Sequence, residues 1–175
     1  MPPLTLDFDI TKFTNVSSKF QLANTLVRPE ESEIIIAQYK KENRVNELKN
    51  NKIYQIESIN KPFYKEWRTI LREALQQSGL FQSSSAYQAE LEVIVTHISY
   101  PTIAGEMNTE ITTKYILTDK KSGDITYQRE ISSNGRATIS DEFFGGKRLI
   151  LSHHRAVSSS IEMFIKHFST FLSDN

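Results

Sequence analysis

An α+β two-layer sandwich, one antiparallel sheet with two helices packed on one of its faces, is the fold predicted by this sequence of 175 residues. Three observations predict it. Apolar residues alternate with polar ones in three successive segments, at about 89–98, 109–118 and 125–133, which is the period of half-buried strands. Two further segments, one beginning at Pro62 and one spanning about 147–172, repeat apolar residues at steps of three and four, the single stripe of a helix lying on a sheet. The helices are separated by the run of strands, an order that places both on one face of an antiparallel sheet. At this length one domain over residues 1–175 is expected, with 1–32 either part of it or a looser amino-terminal arm.

Taken in order, Leu4, Leu6, Phe8 and Ile10 alternate with Thr5, Asp7 and Asp9, predicting a strand or, so near a terminus, a loose arm. Residues 11–32, rich in Ser, Thr and Asn, predict an irregular connection. The β-branched run Ile34-Ile35-Ile36 predicts a central strand. Residues 40–52, dense in Lys, Asn and Glu, predict a solvated turn or loop. Phe63, Trp67, Ile70, Leu71, Ala74 and Leu75 then form a helical stripe, with Pro62 suited to its first turn and Gly79 to its left-handed end.

Leu91, Val93 and Val95 mark the next strand, which ends near Pro101, and a loop carrying Gly105 leads to a hairpin. Its first strand buries Ile111, Thr113, Tyr115 and Leu117. The charged run from Asp119 to Asp124, with Gly123, makes a hairpin loop of several residues. The second strand sets Ile125, Tyr127 and Ile131 on one face, where only Arg129 breaks the pattern. The last helix carries Leu149, Ile150, Val157, Ile161, Phe164, Ile165, Phe168 and Leu172, and its serines Ser158-Ser159-Ser160 read as a small-residue face.

Composition excludes several functions. Lys plus Arg and Asp plus Glu both number 21, so no net field favours a polyanion, and no nucleic-acid partner is expected. The absence of cysteine removes disulfides, thiol nucleophiles and thiolate metal sites together. With 38% hydrophobic and 24% charged residues, no stretch reads as a transmembrane segment.

Candidate chemistry is thin. Of the four histidines, His97, His153, His154 and His167, the adjacent pair diverges by about 100° on a helix and cannot chelate one metal in the usual way, so solvated histidines are expected. Gly145-Gly146-Lys147-Arg148 precedes a helix but lacks the spacing of a phosphate-binding loop. No Gly-x-Ser-x-Gly elbow occurs. Glu90 and Glu92 share a strand face, and nothing marks either as desolvated. No catalytic residue, cofactor or metal site is therefore expected. The candidate contact for a partner is Phe143, Phe144, Lys147 and Arg148, two adjacent aromatics beside two cations, as in interface cores. The competing expectation places both phenylalanines in the core.

The run from Thr113 to Gly123, the strand Ile125 to Ser133, and Ser140-Asp141-Glu142-Phe143-Phe144-Gly145 followed by Arg148-Leu149 resemble small proteobacterial envelope lipoproteins, most of them uncharacterised. The resemblance covers about residues 55–172. More distantly, these proteins are similar to lipoproteins that assist outer-membrane assembly and lipid transport. The resemblance implies a non-enzymatic binding or assembly accessory protein, whose partner is an envelope protein or a lipid-bearing complex. It implies a periplasmic location with an outer-membrane anchor if a signal and lipobox cysteine have been removed, and a cytoplasmic one otherwise. An alternative function is carriage of an apolar small molecule or lipid in a cavity between sheet and helix.

Overall fold

The computed structural model describes residues 4–13, 16–30, 38–44, 46–47, 52–100, 102–103 and 105–174, with 52–62 and 102–103 described as backbone only. Strand β1 is Gln21–Pro29, helix α1 Lys52–Ser78, β2 Gln88–Ser99, β3 Thr102–Ile103, β4 Glu106–Asp119, β5 Ile125–Ala137 and helix α2 Gly145–Asp174. The strands form one sheet in which β1 pairs with β2 and β2 with β4. Strand β3 continues beside β4 beyond the end of β2, and β5 lies along the opposite side of β4. The expected α+β arrangement is found, with both helices contributing to one apolar core on one face of the sheet.

Cross-strand register shows why the alternation works. Thr25, Leu91, Leu117 and Tyr127 are paired in one row, and Val27, Val93, Tyr115 and Arg129 in the next. Paired residues point to the same face, so each row lays one inward side chain per strand beneath the helices. The outward face mixes polar residues with Leu26, Ile94 and Ile116 and carries ion pairs: Glu92 binds Arg28 at 2.7 Å, and Glu90 lies 3.6 Å from Lys120. The hairpin loop is closed by Gly123 N–H donating to the Asp119 carbonyl at 2.8 Å.

Helix α1 buries Phe63, Trp67, Leu71, Ala74 and Leu75. It ends at Gly79, whose φ of +66° is a left-handed conformation that side-chain-bearing residues rarely adopt. Helix α2 approaches the hairpin more closely, because the residues between them are small. Ser152 and Thr109 share a 2.7 Å bond, and the Ser133 hydroxyl donates to the Ala156 carbonyl at 2.9 Å. Ser160 meets Thr113 at 3.0 Å and Tyr115 at 2.9 Å. Ser152, Ala156 and Ser160 recur every four residues, one per turn along the facing stripe. Of the expected small-residue face Ser158-Ser159-Ser160 only Ser160 lies on this stripe, Ser158 turning to the Asp7 N–H, and the hydroxyls of the stripe are satisfied inside the core.

Four expectations are corrected. Residues 21–29, expected to be irregular, form β1, parallel to β2. A parallel neighbour needs a long crossover, and α1 lies within it. The segment 4–9 keeps its alternating burial but pairs with no strand. Leu4 N–H donates to Glu66 at 2.7 Å and Asp7 N–H to Ser158 at 2.7 Å, so it runs between the two helices into a 3-10 turn at Ile10–Phe13. Helix α1 starts ten residues before Pro62, which is interior. Proline suits a first turn, but Ile53, Tyr54, Ile56 and Ile59 already have helical spacing upstream of it. The histidines differ too, as described below. The strand expected at Ile34-Ile35-Ile36 lies outside the described residues, while the described part of 40–52 is exposed, with Arg44 paired to Glu42 and Glu47.

Candidate functional site

The connection from β5 to α2 places Phe143 and Phe144 at the end of the sheet where β2 finishes and β4 begins. Both rings are mostly exposed, at 76% and 63%, and Ile139, earlier in the same connection, is 54% exposed. They meet edge to face with centroids 5.7 Å apart, and the Lys147 ammonium sits 5.5 Å from the Phe144 centroid, a cation–π contact. The expectation that both phenylalanines are core is therefore not met.

Their backbone is held in place from several directions. Arg148 is buried and donates to the Glu142 carbonyl at 3.0 Å and to the Phe143 carbonyl. Its own N–H donates to the Phe144 carbonyl at 2.9 Å, and the Phe144 N–H donates to the Glu142 carboxylate at 3.2 Å. Asp141 accepts from the Thr138 N–H at 2.8 Å, from the Thr138 hydroxyl at 2.9 Å and from Arg155 at 2.9 Å. The Arg155 hydrogen bond, followed by those from Thr138, holds the Asp141 carboxyl well below the usual carboxylate range. Arg155 also donates to the Arg136 carbonyl at 2.6 Å, stitching the loop base to the end of β5. Of the four sequence-predicted contact residues, the structure brings Phe143, Phe144 and Lys147 together at the surface and turns Arg148 inward beneath them.

The histidine pair lies elsewhere on α2. His153 stacks on Phe63 with centroids 4.0 Å apart and meets Tyr100 edge-on at 5.6 Å. His154 is buried between α2 and the segment carrying Asp7, 6% exposed. Of the histidines expected to be solvated, His97 is exposed, whereas His153 packs against aromatic rings, because position 153 falls on the seam with α1. Burial, then the neighbouring His154, push the His153 imidazole down from 6.5 to about 4. Burial also lowers His154, against the pull of Glu66 and Asp7. Among the described residues no group of three or more His, Asp or Glu could hold a metal ion.

A pH dependence follows. Between about pH 6.5 and about pH 4 the unfolded chain protonates residue 153 while the folded one does not. The contribution of neutral His153 is therefore fully present above the upper value and is lost as pH falls through the window. Denaturant unfolding across it should show a loss of about 2–3 kcal/mol that His153→Leu largely removes. An unchanged pH profile in that variant would show that other groups carry the dependence.

Two open grooves lie away from the aromatic pair. One of about 270 Å³ runs between β1, α1 and residues 81–83, lined by polar Gln21, Arg72 and Gln82 among others. The other, of about 500 Å³, follows the outer edge of β5 against the carboxy-terminal end of α2. No described helix is long and apolar enough to cross a membrane.

The fold and this surface define a two-layer α+β domain that presents a rigid aromatic tip from one end of its sheet. No protein-family model matches the sequence, and no curated protein matches it. Among solved structures it is similar to a minor lipoprotein from Acinetobacter baumannii, at 14% identity and a TM-score of 0.49 over 60% of this chain and 82% of the other. It is also similar to a protein from Xanthomonas campestris, at 12% and 0.49 over 63% and 64%. Rare lipoprotein B from Shewanella oneidensis aligns at 9% and 0.44 over 86% and 97%.

Proposed function

We propose that this chain is a non-enzymatic binding or assembly accessory domain of the bacterial cell envelope, holding an envelope protein or lipid-bearing complex through the β5–α2 connection. The observation that carries the reading is the exposure of Phe143 and Phe144 on a backbone fixed from beneath by Arg148 and Asp141. An aromatic ring offers roughly 150–250 Å² to a partner. On a loop that is already ordered, little further freedom is lost on binding. Lys147 adds a cation at the rim, and Arg148 acts as a positioning residue. The envelope setting, periplasmic with any lipid anchor outside this stretch of chain, is supported by the sequence resemblance from Thr113 to Leu149.

Carriage of an apolar small molecule between the layers is less well supported. The space it would need is occupied by Trp67, Tyr115, Phe164 and Phe168, all fully buried.

The test is the double variant Phe143→Ala/Phe144→Ala, followed in parallel by denaturant unfolding and by recovery of partners from the envelope fraction of the source bacterium. Because the rings are exposed, stability should change by less than about 0.5 kcal/mol, while partner recovery is lost. Loss of folding would return the rings to the core, and retained recovery in a folded variant would remove the site.

A further inference from the structure

Arg129 is the one residue that breaks the apolar alternation of its strand, and the structure gives the break a location. It ends the inward row formed by Val27, Val93 and Tyr115, on β5, which pairs only with β4 among the described residues. Its side chain is exposed, where an inward residue on a central strand would be buried. It lines the 500 Å³ groove together with Ile125, Tyr127, His167, Phe171 and Asp174. The Tyr127 and Phe171 rings meet edge-on at 5.2 Å and form an apolar floor, continued by Ile125, which is 58% exposed. Burial, then the charges of Arg129 and Lys166, hold the His167 imidazole below its ordinary value, which favours its neutral form, so the positive charge at this end is that of Arg129 and Lys166. None of the three has an ion-pair partner among the described residues. Asp174 stands at the other end, with the carboxy terminus of α2.

We propose that this groove takes an extended segment of a partner protein, added as a strand to the open edge of β5, with an acidic side chain against Arg129 and His167. The edge supplies the N–H and C=O groups that a second strand needs, and alternate side chains of that strand fall opposite Ile125, Tyr127 and Arg129. The recognised pattern is therefore two apolar residues and one acidic residue at every second position, the acid at the Arg129 end. Charge complementarity selects the acid, and the apolar floor selects the other two. This site lies apart from Phe143 and Phe144 and does not depend on the function proposed for them.

An inward-pointing charge on an edge strand can also serve only to discourage edge-to-edge aggregation. That account leaves the adjoining hollow and the neighbouring His167 without a role, and it predicts different behaviour. The probe is the acetylated, amidated peptide Thr-Glu-Thr-Val-Thr-Val-Thr, with its reversed sequence to cover both strand directions. Controls carry Lys in place of Glu, or Pro in place of the Thr between the two Val residues. Amide chemical shifts of the full chain should move for residues 125–131 and 166–171 with one of the two glutamate peptides. Arg129→Gln, folded as the wild type by circular dichroism, should weaken that binding about tenfold, as should the Lys peptide. The Pro peptide, lacking a ladder donor, should not bind.

No shift at β5, an unchanged affinity in Arg129→Gln, or equal binding of the Pro peptide would overturn the proposal. So would dodecanoate displacing the peptide while itself binding more tightly, which would assign the groove to an apolar anion. Concentration-dependent dimerisation through β5 without peptide would assign it to a second copy. Self-association gained in Arg129→Gln with peptide binding unaffected would leave Arg129 as an edge guard.

Discussion

Gly135→Ala is expected to abolish native packing or to lower stability by more than about 3 kcal/mol, at or beyond the upper end for an overpacked core. A Cβ on Gly135 would lie under 3.0 Å from three backbone atoms of α2: the Ser152 carbonyl oxygen, the Ala156 nitrogen and the Arg155 carbonyl carbon. Backbone cannot rotate away as a side-chain end can, so α2 must lift off the hairpin. Lifting it separates Thr109 from Ser152, Ser133 from the Ala156 carbonyl, and Thr113 and Tyr115 from Ser160, leaving buried hydroxyls unpaired. Denaturant unfolding measures the loss. A change under about 1 kcal/mol would mean that helix and hairpin do not meet as closely as described.

Trp67→Ala is the other large effect, at about 3–5 kcal/mol, the range for deleting a large buried aromatic. The indole is fully buried in the face of α1 that meets the sheet, edge-on to Phe63 at 5.9 Å. Among the described residues its Nε1 has no hydrogen-bond partner. The side chain therefore contributes through packing alone, and Trp67→Phe should recover more than half of the loss. The same unfolding measurement on both variants checks this. Equal destabilisation by Phe and Ala would point to a polar role for the indole N–H.

Much of the architecture was legible because period and burial coincide. In β2, β4 and β5 the inward residues, Ile125 and Arg129 aside, are covered and the outward ones are at least partly exposed, so the alternation survives in the sequence. Elements at the margin were less legible. Strand β1 sits at an edge and fully buries only Thr25, so its residues do not alternate strongly enough to be read as a strand. The alternation from Leu4 to Ile10 records burial between helices, and burial alone does not distinguish a paired strand from an unpaired extended segment. Pro62 misdirected the start of α1 because a first-turn preference says nothing of a helix already running.

The candidate site was partly legible. Adjacent phenylalanines beside glycines fit a core or an interface equally well from sequence. What separates the two is Arg148 reaching back to the carbonyls of residues 142 and 143, a contact with no pattern of its own. Arg129 could be noticed as an exception, but its groove depends on where the end of α2 crosses β5, which no local spacing records. The burial of His153 likewise depends on Phe63 and Tyr100 arriving from distant parts of the chain.

The central claim is that the tip carrying Phe143 and Phe144 is the surface that meets a partner. Site-specific photo-cross-linking in living cells of the source organism tests it most directly, with the cross-linker at position 144 and, as a control on the outward sheet face away from β5, at the exposed Asn24. The account predicts a discrete adduct from position 144 with one envelope protein or complex, absent from position 24. Adducts of equal yield from both positions, or none from position 144 while the folded protein is present, would contradict it.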